Sequence, residues 1–123
     1  MPYHDFTEMP VWQLAIEIVE EAYKLTEKLP KREDYALCGQ LRKAAVSIAG
    51  NIAEGFGRYG KKDKIKFYRY SQGSLSESLN WNEKSKIRKL LSAEEYKYIF
   101  GELQKLPKAI NALILFTNQK LKV

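Results

Sequence analysis

Apolar residues recur at helical spacing in four separate stretches of the chain, and strand-like alternation occurs in none. In the first stretch Val11, Leu14, Ala15, Ile18, Ala22, Leu25 and Leu29 stand three or four residues apart behind Pro10, a residue suited to a first helical turn. The spacing predicts a helix over about 9–28, stopped at Leu29-Pro30 because the residue before a proline is pushed out of helical geometry. Leu37, Leu41, Ala44, Ala45, Ile48, Ile52 and Phe56 predict a second helix over about 34–57. The third, over about 62–89, carries a thinner stripe of Ile65, Tyr68, Ser71, Leu75, Leu79 and Ile87, with a serine in an apolar slot. The fourth opens at Ser92-Ala93-Glu94-Glu95, a capping box in which Ser92 and Glu95 satisfy each other's amides. Behind it come Tyr96, Ile99, Phe100, Leu103, Leu106, Ile110, Leu113 and Ile114. Pro107 lies inside this run, where it removes a backbone donor and clashes with the preceding turn, so a kink is expected near Leu103 to Leu106.

Four amphipathic helices with short connections pack most simply as an all-α, antiparallel up-and-down four-helix bundle, here one domain over residues 1–123 and roughly 35 Å tall. The second helix is rich in small residues, Ala44, Ala45, Ala49, Gly50, Ala53 and Gly55, and should be the most buried. A glycine inside a helix costs about 1 kcal/mol against alanine, so Gly55 implies a neighbour pressed close to the backbone.

The segment Asn51–Lys62, NIAEGFGRYGKK, matches the spacing G-x-G-x-x-G at Gly55, Gly57 and Gly60. A dinucleotide loop, however, follows a strand and opens a helix, whereas this segment ends a helix and no strand precedes it. A P-loop fails as well, because Lys62 occupies the Ser or Thr position that would reach magnesium. The expected role is helix termination, with Gly57 or Gly60 taking the left-handed conformation.

Charge adds a second kind of information. The net charge is +6, yet residues 1–30 hold six acids and two bases, leaving 19 bases against 9 acids in the rest. Arg58, Lys61, Lys62, Lys64, Lys66 and Arg69 form the densest basic run, opposed only by Asp63. Such a run attracts phosphate backbones or is simply a solvated face. One cysteine, Cys38, and one histidine, His4, preclude an internal disulfide and a Cys/His zinc site; no cofactor is expected, and Cys38 reads as an inert core residue. The start MPYHDFTEMP lacks the basic and apolar stretches of a secretory signal, and no apolar run approaches the roughly 20 residues that span a bilayer, so a cytoplasmic protein without a membrane is expected.

Gln40, Ser47, Asn51, Glu54 and Arg58 fall on one strip of the second helix beside its apolar stripe, with Arg42 close in sequence and Ser74 and Glu77 as partners on the third. The strip is either a polar ligand site or a hydrogen-bond network fixing register between helices or subunits; the absence of accompanying histidine, usable cysteine or clustered carboxylates favours the network. Extra apolar lines, Trp12, Ile16, Val19 and Tyr23 on the first helix and Phe67, Tyr70, Ser74 and Trp81 on the third, exceed what one bundle need bury and are expected at an oligomer interface, the alternative being tyrosines and tryptophans partly exposed at the bundle rim.

The segments PVWQLA (10–15), LPKREDY (29–35), QLRKAAVSIAGNIAEGFGR (40–58) and GSLSE (73–77) resemble the four-helix bundle family of the 23S rRNA intervening-sequence protein. Gln40, Arg42, Ala45, Ser47, Asn51, Ile52, Glu54 and Gly55 match that family's second-helix pattern, and Gly73, Ser74 and Glu77 its third. Ser71 and Asn82 depart from it, standing where apolar residues are usual. The resemblance implies a bundle assembled as a homopentamer. It also implies nucleic-acid binding, or a link to the accessory variability protein that assists reverse transcriptase in diversity-generating retroelements. The combined expectation is a non-enzymatic homo-oligomer binding RNA or DNA through its basic run with little sequence specificity. The alternative is a protein-interaction scaffold for a partner such as a reverse transcriptase.

Overall fold

The computed structural model describes residues 3–28 and 34–120. After a 3₁₀ turn at Phe6–Glu8 come α1 (Pro10–Thr26), α2 (Gly39–Phe56), α3 (Lys61–Ile87), α4 (Ala93–Leu103) and α5 (Leu106–Lys120). The last two form one rod broken at Gln104–Lys105, so the described residues make an all-α four-helix bundle with no strand. The break falls where Pro107 predicts it. Both arms of the capping box are present at the start of α4: the Glu95 amide donates to Ser92 Oγ at 3.1 Å and the Ser92 amide to Glu95 Oε1 at 2.9 Å.

Cross-helix bonds fix the directions. Along α3, Lys64, Ser71 and Ser74 reach Phe56, Ile48 and Ser47 of α2 in descending order, so the two helices run antiparallel. Farther along α3, Gln72 meets Asn111 while Asn82 meets Tyr96, which makes the final rod antiparallel to α3 in turn. The main core joins Ala15 and Ile18 of α1 to Ile48 and Ile52 of α2, Tyr68 and Leu75 of α3, and Ile99, Leu103, Leu106 and Ile110 of the last rod. A smaller cluster of Val19, Ala22, Leu41 and Ala45 is covered by Trp81. Apart from Val19 and Trp81, which belong to the extra apolar lines, these residues come from the predicted stripes, with two corrections: Ile87, at the end of α3, is 75% exposed, and Phe100 of α4 is exposed as well. Burial of the stripes supplies the main favourable term of folding.

The ends of the helices differ from expectation. A π-helical turn at Asp34–Cys38 leads into α2. The Leu29-Pro30 stop lies outside the described residues. Neither predicted terminator is left-handed: Gly57 has φ −79° and Gly60 φ −91°. Instead, the Lys64 ammonium donates to the Phe56 carbonyl at 2.6 Å, placing a cation at the negative end of α2. The left-handed position falls on Lys89, φ 59°, after α3, where the Leu90 amide reaches back to Ser85 O at 2.9 Å and the Lys89 amide to Lys86 O at 2.9 Å. Those two bonds form a Schellman motif on a non-glycine residue.

The thin stripe of α3 is polar inside. Ser71 is fully buried and donates to the Ile48 carbonyl at 2.8 Å, while Ser78 and Ser85 bond back to carbonyls of their own helix. Asn82 donates to the Tyr96 carbonyl at 3.3 Å. Ser71 and Asn82, the two positions noted above as polar in apolar slots, are therefore buried and each donates to another helix, while Asn82 Oδ1 is buried without a partner.

Candidate nucleic-acid interface

The turn between α2 and α3 and the first turns of α3 gather the basic run. Arg58, Lys62, Lys66 and Arg69 are exposed, and Lys61 is partly so. On a helix, Lys62, Lys66 and Arg69 at i, i+4 and i+7 share one stripe, and Gly73 continues it. Lys61, Lys62, Lys66 and Arg69 line a shallow depression of about 470 Å³, with Ile65, Tyr70 and Asn118 completing it.

The structure does not treat the six cations alike. Lys64 is committed to the end of α2, and burial lowers the pKa of its ammonium. Arg58 pairs with Glu54 at 3.3 Å and lies over the Phe67 ring at 4.5 Å. Lys66 pairs with Asp63 at 3.6 Å and stands 5.2 Å from the same ring. Exposed pairs of this kind are worth about 0–1 kcal/mol and yield readily to a polyanion. Arg69 donates to Gln72 at 3.3 Å. Sequence periodicity did not separate Lys64 from its neighbours, because only the packed structure shows which ammonium reaches the end of α2.

The polar strip divides. Asn51 Nδ2 donates to the Ser47 carbonyl at 2.9 Å and to Ser47 Oγ at 3.0 Å, and Ser74 Oγ donates to Ser47 Oγ at 2.8 Å. This is a small network crossing from α2 to α3. It lines a second depression with Arg69, Tyr70, Gly73 and Glu77, and a third is lined by Gln40, Lys43, Ala44, Ser47 and Glu77. The second and third depressions share Ser47 and Glu77 and make a furrow along the outward face of α2 and α3, while the basic depression lies on the side of α3 that faces α5 and shares Arg69 and Tyr70 with the furrow. Arg42 does not belong to it: its guanidinium donates to Thr26 Oγ1 of α1 at 2.7 Å and stacks over Tyr23 at 5.1 Å.

The residues expected at an oligomer interface are used unequally within the single chain. Val19 is buried, Trp81 covers its cluster, and Trp12 packs edge-on against Phe6 at 5.2 Å beside the main core. Tyr23 and Tyr70 remain exposed, and Phe67 is partly buried against Tyr70 at 5.4 Å. Trp12 and Trp81 thus have intramolecular roles that the simple helical wheel did not show.

Cys38 is buried, with its sulfur 3.8 Å from the Thr26 carbonyl. Among the described residues no cluster of three or more His, Cys, Asp or Glu could hold a metal ion, and no helix is long and apolar enough to cross a membrane.

The sequence profile of the 23S rRNA-intervening sequence proteins matches residues 7–112, nearly the whole bundle. The chain belongs to this family. Its fold is similar to the crystal structure of a protein of unknown function from the S23 ribosomal protein family of Bacteroides thetaiotaomicron, with a TM-score of 0.76 and 19% identity over 85% of this chain and 97% of the other. No match was found among curated proteins. Within the family bundle, the resembling segments around 40–58 and 73–77 are the two walls of the furrow.

Proposed function

We propose that this family member is a non-enzymatic, homo-oligomeric bundle that binds RNA or DNA through the furrow and the basic turn above it. The observation that carries the reading is the grouping of Lys61, Lys62, Lys66 and Arg69 around one depression at the start of α3. Cations at such a site neutralise phosphates and release counterions, which gives affinity without sequence preference. In a homo-oligomer, the pentamer of the family resemblance being the favoured case, the cluster repeats on every subunit and avidity multiplies a weak single contact. Exposed Tyr23 is the remaining candidate for subunit contact.

The test is a salt titration of RNA and DNA binding by wild type and a Lys61→Glu/Lys62→Glu variant. Lys64 is left intact because it closes α2. Wild-type affinity should fall with a log-log slope of about −0.7 to −0.9 per phosphate neutralised, and the variant should bind more weakly with a shallower slope. Unchanged affinity and slope at unchanged oligomer mass would replace this reading with the scaffold, whose partner would be a protein such as a reverse transcriptase.

A further inference from the structure

We infer that the furrow takes single-stranded nucleic acid in preference to duplex, with Tyr70 as the surface on which an unpaired base stacks. This rests on the binding reading above and specifies the form of its ligand. Tyr70 stands where the basic and polar depressions meet, lining both, and it is 52% exposed. Its ring is braced edge-on by Phe67 at 5.4 Å and 83°. Phe67 in turn has Arg58 4.5 Å and Lys66 5.2 Å from its ring. No cation or stacked ring covers a face of Tyr70 among the described residues, so an oriented aromatic face is open beside the phosphate-binding charges. Tyr59, fully exposed at 102%, has no comparable brace and would lose more freedom on binding.

The next turn of α3 makes room for a base. Gly73 presents no side chain, and a Cβ built there would meet nothing within 4 Å. Beyond it Glu77 lines the furrow with no ion pair or hydrogen bond among the described residues, and with Lys43 across the same depression it leaves that end without the net positive charge of the α3 start. The charges therefore orient a strand: phosphates lie along Lys62, Lys66 and Arg69, and the base turns toward Gly73. A duplex keeps its base faces stacked inside and can use only the cations. A single strand gains the stacking contact as well.

Fluorescence anisotropy tests this with a labelled oligonucleotide of about 12 nucleotides, within the usual range of such sites, as single strand and as duplex, in RNA and DNA forms. Tyr70→Ala should weaken single-strand binding by about 5- to 150-fold and leave duplex binding unchanged, while Tyr70→Phe should retain wild-type affinity for both. Lys61→Glu/Lys62→Glu should weaken both forms. If the charge variant loses both forms while Tyr70→Ala keeps its single-strand affinity, the stacking inference falls and the binding reading stands. Equal loss on both forms in Tyr70→Ala, or wild-type preference for duplex, also overturns the inference. If wild type binds neither form, both readings fall.

Discussion

Tyr68 and Tyr70 stand two residues apart on α3, the first fully buried and the second 52% exposed. Gly55 and Gly73 make a second such pair on the facing helices. A Cβ at Gly55 would lie 2.6 Å from Tyr68 Cε1 and 3.0 Å from the Lys64 carbonyl, whereas at Gly73 it would meet nothing. Lys64 and Lys62 make a third, one closing a helix and the other exposed. The inward and outward faces of the α2/α3 pair thus employ the same residue types in opposite ways. Inside, glycine and tyrosine are a fitted contact that lets the backbones close. Outside, they leave an open ring and an open backbone at the furrow. A helix-interior glycine costs about 1 kcal/mol against alanine, and at Gly73, as at Gly50 and Gly101, no neighbour within the described residues lies within 4 Å of a built Cβ.

The comparison can be broken most forcefully at the tyrosines. Tyr68→Ala should cost about 3–5 kcal/mol, as for other large aromatic residues removed from a core, while Tyr70→Ala should change stability by no more than about 0.5 kcal/mol. Denaturant unfolding of the two variants measures this, and similar losses would erase the distinction between the faces. The glycines come next. Gly55→Ala should destabilise by about 1–3 kcal/mol through overpacking against the Tyr68 ring, and Gly73→Ala should stabilise by about 0.5–1 kcal/mol through helix propensity alone. Melting curves moving in opposite directions are the expected result.

The smallest effect at neutral pH sharpens the account of the inner face. The Tyr68 hydroxyl is buried without a partner, and burial raises its pKa from 10.0 to about 12. Tyr68→Phe should therefore leave stability unchanged or slightly higher at neutral pH, since it removes an unsatisfied group. Above pH 10 the unfolded phenol ionises while the folded one still holds its proton, so wild-type stability must fall between about pH 10 and pH 12. Subtracting the Tyr68→Phe profile removes the contribution of lysine titration common to both. A flat difference across this window would contradict the burial of the phenol.

The four rods, the capping box, the Pro107 break and the close approach at Gly55 were legible because each follows from local rules of spacing, capping and backbone sterics. What was not legible depends on how far a flexible side chain reaches. Arg42 was grouped with the polar strip and Lys64 with the basic run, yet Arg42 extends to Thr26 on α1 and Lys64 to the end of α2. Trp12 and Trp81 lie on lines that look superfluous on a helical wheel, and the 3₁₀ turn and the small Val19 cluster give them partners. The terminators failed for a different reason. Glycine permits the left-handed conformation without compelling it, so Gly57 stays right-handed once Lys64 supplies the carbonyls with a donor, while Lys89 adopts the left-handed state in a Schellman turn. The furrow was half visible: the polar strip and the basic run were read separately, and that both border Arg69 and Tyr70 required the packed helices.

The claim that the outward face binds and the inward face holds the fold meets its most direct test at Gly73→Trp. A side chain there starts from a Cβ that meets nothing within 4 Å, so the variant should melt no lower than wild type and keep its oligomer mass. The indole also fills the furrow beside Tyr70. The measurement is the affinity of this variant for a single-stranded oligonucleotide, expected to be at least about tenfold weaker than wild type, a change of about 1.4 kcal/mol. Wild-type affinity with the indole in place would contradict the account, because nothing would then be bound where Gly73 leaves room.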